Sequence, residues 1–121
     1  MPKNNSPLEA DECRAFVDWL AIQENLGRVK VFSHIPSETF TRSWTAKARN
    51  TALGVRRGVP DYFIVTPGNL VAVEMKRQKG GTVAEEQREW ITSLNEAGVP
   101  AKVCCGADEA IAFTAEYLPS S

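Results

Sequence analysis

The chain has 121 residues, 43% of them hydrophobic and 24% charged, with a formal net charge of −1. That is room for one core and not for two, in the range of an ordinary soluble globular protein. No stretch of ~18 apolar residues offers a membrane span. The polar start MPKNNSPLEADE lacks the apolar segment of a secretory signal, so the expected location is the cytoplasm.

Residues 1–6 read as a disordered tail and 7–24 as an amphipathic helix, with Cys13, Phe16, Val17 and Leu20 at helical spacing. Gly27 ends it, and RVKVFSH (28–34) alternates as a strand does. A helix is expected over 43–53, capped by Ser43, with Trp44, Ala48 and Ala52 on one side and Gly54 as the stop. Strands at 60–66 and 70–76 flank the turn Thr-Pro-Gly-Asn. The segment GGTVAEEQREWITSLNEAG (80–98) is a helix whose Thr82 and Glu85 have capping-box spacing and whose Gly98 is the stop. PAKVCC (100–105) is a short strand and DEAIAFTAEYL (108–118) a closing helix. The order is α-β-(α)-β-β-α-β-α in one domain over 1–121, and the unit from 70 to 105 is expected to be a right-handed parallel crossover.

Three cysteines, Cys13, Cys104 and Cys105, have neither CxxC nor Cys/His spacing and fit a reducing compartment, as small apolar residues within a helix and a strand. His34 is the only histidine, so a histidine-pair metal site has nothing to draw on, and its first reading is structural or solvent-facing. The charge distribution is more informative than the net charge. Thr39 to Pro60 contains no acid but carries Arg42, Lys47, Arg49, Arg56 and Arg57, and Lys76, Arg77 and Lys79 follow Glu74 directly. Segregation of this kind can give a neutral protein one basic face, although each run taken alone is also what a solvated surface looks like.

The hairpin carries the chemistry. If it is symmetric about the Pro67–Gly68 bond, Asp61 and Glu74 face each other with Cβ atoms roughly 5 Å apart. Lys76, two residues on, shares the face of Glu74 at roughly 6.6 Å. Two like charges so placed destabilise a sheet unless something positive lies between them. Carboxylate oxygens suit hard cations such as Mg²⁺, and an ion held there can position a water for attack on a phosphodiester, with Lys76 orienting the water or holding the phosphate. The plainer reading is a turn aspartate and an edge-strand charge pair. Glu9 lies in line with Cys13, Phe16 and Leu20, and either Glu9 or Glu12 could bring a third carboxylate; a first-turn acid also favours the helix dipole. Gln87 falls among Val83, Trp90, Ile91 and Leu94, where a polar group needs a partner, either Lys76 or the phosphate, unless it reaches water at the sheet edge.

The run GVRRGVPDYFIV…LVAVEMKRQKGGTVAEEQREWITSLNEAGVPAKVCCGADEAI resembles the VRR-Nuc domain of the PD-(D/E)XK nuclease superfamily. The matching positions are Gly58 to Asp61, Glu74 to Lys76, Gly80, Gly81 and Gln87, and the likeness covers roughly 8–113; the family often has Asn where Ser37 stands. The resemblance implies an α/β restriction-endonuclease-like core with a mixed four-stranded sheet flanked by helices. It also implies Mg²⁺ or Mn²⁺ dependence and cleavage of branched DNA, with free-standing members similar to Holliday-junction-resolving homodimers. On that footing the ligands are Asp61, Glu74, the Met75 main-chain carbonyl and Glu9, with Lys76 as the catalytic cation. Arg42, Lys47, Arg56, Arg57, Arg77 and Lys79 are the expected DNA contacts. The alternatives are a DNA-binding module of the same fold without activity, a flap- or nick-directed nuclease subunit, and a protein-interaction subunit docking through the Trp44 helix.

Overall fold

The computed structural model describes residues 8–36 and 43–120. The expected tail at 1–6, Ser37 and Arg42 lie outside the described residues. The elements are α1 (Glu9–Asn25), β1 (Val31–His34), α2 (Trp44–Ala52), β2 (Tyr62–Thr66), β3 (Asn69–Lys76), α3 (Glu85–Glu96), β4 (Ala101–Cys105) and α4 (Ala107–Ala115). They form one mixed sheet in the order β1-β2-β3-β4. The first three strands are antiparallel, and β3 pairs parallel to β4 across the α3 crossover.

The hairpin has the symmetric register. Thr66 pairs with Asn69 and Tyr62 with Val73, around Pro67 and Gly68. Gly68 has φ +120, a conformation in which a side chain would be strained. Because side chains alternate along a strand, Tyr62, Ile64, Val71, Val73 and Met75 share one face. That face meets Phe16 and Leu20 of α1 and Ala107 and Ala110 of α4, all buried in one core. Each large side chain there contributes about 1.5–3 kcal/mol by leaving water. The same alternation sends Asp61 and Glu74 to the opposite face, away from the core.

That second face is only partly covered. The Asn95 side chain of α3 donates to the Ala101 carbonyl and accepts from the Ala101 N–H, tying the helix to β4. Toward the β1 edge, Val31, Val65 and Leu70 stay 53%, 37% and 37% exposed. A cleft is left between α3 and the open part of the sheet.

Three sequence expectations need correction. The buried stripe of α1 is Glu12, Phe16, Leu20 and Gln23, so the acid on it is Glu12, and Glu9 is exposed. Glu12 is spoken for: Oε1 accepts from the Ala107 N–H at the start of α4, and Oε2 accepts from the Gln78 amide. Strand β1 starts at Val31 rather than at residue 28, because the Arg28 and Val29 N–H groups are used in closing α1 onto the Gln23 carbonyl. Helix α3 starts at Glu85 with Ala84 as its cap, so Thr82 and Glu85 do not form the box; Gln87, at the third helical position, reaches back to the Ala84 N–H instead. Helix α2 does keep Ser43 as its cap, whose Oγ accepts from the Ala46 N–H, but none of its residues is buried and Trp44 is 82% exposed.

Candidate active site

Asp61 sits just before β2, and one of its carboxylate oxygens accepts from the Met75 N–H at 2.7 Å. Its carbonyl accepts from the Ile35 N–H at 2.6 Å and from His34 Nδ1 at 2.9 Å. A carbonyl can only accept, so His34 carries its proton on Nδ1. The aspartate is thus gripped at both ends, and β1 and β3 hold it where β2 begins.

Glu74 is buried in the middle of the sheet, at 3% exposure. Its Oε2 accepts from the Gln87 amide at 2.8 Å and lies 3.5 Å from Lys76 Nζ. Its Oε1 is buried and has no hydrogen-bond partner. Burial in the low-dielectric sheet, reinforced by the charge of Asp61, pushes the Glu74 carboxyl up to about 8. Burial likewise raises Asp61, against the opposing pull of the Met75 N–H and the charge of His34. Lys76 opposes both shifts without cancelling them.

Gln87 is aimed by the helix it sits on. Its Oε1 accepts from the Ala84 N–H at 2.9 Å, which orients the amide so that Nε2 faces Glu74. Gln87→Ala leaves an N-terminal helix donor and a buried carboxylate oxygen without their partners; it is expected to cost about 1–3 kcal/mol in stability. Gln87→Glu keeps the acceptor for Ala84 but sets a third acid beside Glu74. The expected order of thermal stability at neutral pH is wild type first and both variants below it, with Gln87→Glu recovering as pH falls. Equal stability of all three in a melting series would contradict this role.

Gly58 fixes the loop that faces the site. It has φ +81, and a Cβ there would stand 2.5 Å from the Glu86 backbone carbon, so the loop packs directly on the first turn of α3. Trp90 on the same helix donates through Nε1 to the Arg57 carbonyl at 3.0 Å. Gly81 serves Lys76 in the same way, since a Cβ there would meet Lys76 Cβ at 3.1 Å. The result is a cleft of about 480 Å³ whose walls include Arg56, Arg57, Asp61, Glu74, Gln87 and Trp90.

Of the residues expected from sequence, Asp61, Glu74, Lys76 and Gln87 are brought together. Met75 joins them through its main chain. A residue's N–H and C=O point to the same side of a strand, and Met75 directs its N–H to Asp61, so its carbonyl faces the same gap beyond the end of β2. Glu9 is exposed on α1 and makes no three-acid group with Asp61 and Glu74, although its charge and that of Asp61 both act on Cys13 and Tyr62. Among the described residues no group of three or more His, Cys, Asp and Glu side chains is placed to hold a metal ion. Arg56 and Arg57 line the cleft, Lys47 is exposed on α2, and Arg77 and Lys79 follow β3. His34 and the Trp90 indole N–H are the contributors that sequence reasoning passed over. The β1–β2 register that sets His34 opposite Tyr62 could have pointed to His34, but no tight turn announces that register.

The donor set fits a hard divalent cation. Two carboxylates and one main-chain carbonyl are the oxygen ligands Mg²⁺ and Mn²⁺ take, with waters completing the shell. Glu74 Oε1, buried and without a hydrogen-bond partner, leaves one carboxylate oxygen of the pair open to such a ligand.

The sequence model of the VRR-NUC domain matches residues 4–108. A solved structure described as a VRR_NUC domain protein superposes with a TM-score of 0.74 at 22% identity, covering 93% of this chain and 89% of that one, and so shares its fold. No curated protein matches the chain.

Proposed function

Since the chain belongs to the VRR-NUC domain family, a nuclease-type family, we propose that it is a metal-dependent endonuclease that hydrolyses phosphodiester bonds in branched DNA, acting as a homodimer on Holliday-type junctions. The observation that carries the chemistry is the buried, partnerless Glu74 Oε1 in a carboxylate pair attended by one lysine. Asp61, Glu74 and the Met75 carbonyl would hold Mg²⁺ or Mn²⁺, which when bound activates a water and offsets the charge that builds up on the phosphate.

The chain's own residues do the rest. Gln87 holds Glu74 in one rotamer, with Oε2 occupied and Oε1 left to bind. The Met75 N–H, with Ile35 and His34 behind it, keeps the Asp61 carboxylate turned to the same point. Lys76 Nζ, 3.5 Å from Glu74, is placed to orient the attacking water or to hold a phosphate oxygen. Arg56 and Arg57 on the cleft wall give the phosphate backbone a place to lie. The homodimer rests on symmetry: a four-way junction needs two cuts, and a two-fold axis supplies paired sites to a chain with one.

Purified protein with Mn²⁺ or Mg²⁺ and a four-way junction, a 5′ flap, a single strand and a linear duplex tests this directly. Paired symmetric cuts confined to the junction, from a species of twice the chain mass by light scattering, are the expected result. Equal cutting of all forms would remove the junction preference, and no cutting of any would remove the nuclease reading.

A further inference from the structure

Helix α2 has no evident work in the core, yet it ends on the rim of the cleft. The Leu53, Gly54 and Val55 N–H groups return to the Arg49, Thr51 and Asn50 carbonyls, so the helix runs into the Val55–Val59 wall through a closed turn. Its first residue, Trp44, is 82% exposed, and Lys47 Nζ lies 5.0 Å from the ring centroid. From Trp44 to Pro60 there is no acidic residue, while Lys47, Arg49, Arg56 and Arg57 are basic.

The exposed apolar groups here do not make a protein-docking stripe. Leu53, 75% exposed, lies about two and a half turns from Trp44 and so on the other side of the helix. What remains is a single flat ring with Lys47 over it, on a segment whose other charges are all basic. A lone aromatic among phosphate-neutralising side chains is how proteins hold unpaired bases: the cations track the backbone and the ring takes a base face. A blunt duplex offers no such face within its stack.

We propose that Trp44 is a base-stacking residue that engages an unpaired nucleotide of the DNA, and that α2 thereby favours DNA with unpaired segments at the cleft. Along the helix axis Trp44 stands on the order of 12 Å from Ala52, the last residue of α2. This reading rests on the proposed nuclease function for its purpose but is tested by binding alone.

The experiment is fluorescence anisotropy in EDTA, where no cutting occurs, on the full chain with three labelled probes: a single strand, a fork with unpaired arms, and a blunt duplex of the same length. Trp44→Ala is expected to weaken the single strand and the fork about tenfold or more, and the blunt duplex less than about twofold, with Trp44→Phe retaining most of the affinity. Lys47→Ala is expected to weaken all three together and to lower the salt dependence. The proposal is overturned if Trp44→Ala leaves all three affinities unchanged, if it weakens the three equally, or if its only effect is a changed oligomeric state by light scattering. Trp44-dependent binding of unpaired DNA by a protein that never cuts would support this proposal and strike the nuclease reading alone. Normal cleavage with Trp44→Ala binding unchanged would do the reverse.

Discussion

Lys76→Ala is expected to lower metal-dependent cleavage by about a thousandfold while leaving the fold and DNA binding in place. Lys76 Nζ is the positive side-chain group beside the Glu74 carboxylate, at 3.5 Å, and the Lys76 side chain is only 13% exposed. In the proposed mechanism, removing it deletes the group that would meet the water or phosphate, whereas affinity for the DNA backbone would draw on Arg56 and Arg57 along the cleft wall. The fold tolerates the change because Glu74, raised to about 8, keeps its proton near neutrality and is not stranded as an anion. Single-turnover cleavage and anisotropy on the same junction separate the two effects. A variant that binds normally and cuts normally would take Lys76 out of the mechanism.

The second large effect concerns stability and pH in the metal-free protein. Burial and the neighbouring Asp61 raise Glu74 from 4.5 to about 8 in the folded state. The folded chain therefore holds a proton that the unfolded chain releases near its ordinary value. Stability from this proton is fully present below about pH 4.5, declines as pH rises, and is lost once pH passes about 8. Asp61, also raised, adds to the decline. Glu74→Gln keeps the volume and removes the titration. It is expected to melt about 5 °C or more above the wild type at pH 8.5 and to match it at pH 4.5. Mn²⁺ is expected to close that gap by raising the wild type and not the variant, because only an ionised Glu74 binds the cation. Parallel melting curves across the whole pH range would contradict the assignment.

How far the sequence disclosed this site depends on the distance over which each residue is specified. The Asp61–Glu74 opposition was legible as the symmetric register of the hairpin, but Pro-Gly is not a hairpin-favoured turn and allows a one-residue slip; the pairs from Tyr62–Val73 to Thr66–Asn69 decide for the symmetric one. Gln87 was legible as a polar residue on an apolar stripe, but not its double use. Thr82 and Glu85 have the capping spacing, and only the packing of Gly58 on Glu86 shows where the helix begins. The acid of α1 was ambiguous because Glu9 and Glu12 are one turn apart, and the choice is made by Gln78 and Ala107, which are remote in sequence. His34 was hidden for the same reason: its partner, the Asp61 carbonyl, lies across a strand pairing that no short turn announces.

Calorimetric titration of Mn²⁺ into the protein at pH 7, in two buffers of different ionisation enthalpy, tests the proposal that Asp61 and Glu74 together hold a divalent cation. Binding is expected to release a proton, since the metal displaces the one that the raised Glu74 carboxyl carries at that pH. Glu74→Gln is expected to lose both the binding and the proton release. Mn²⁺ binding that is unchanged in Glu74→Gln, or that releases no proton, would contradict it.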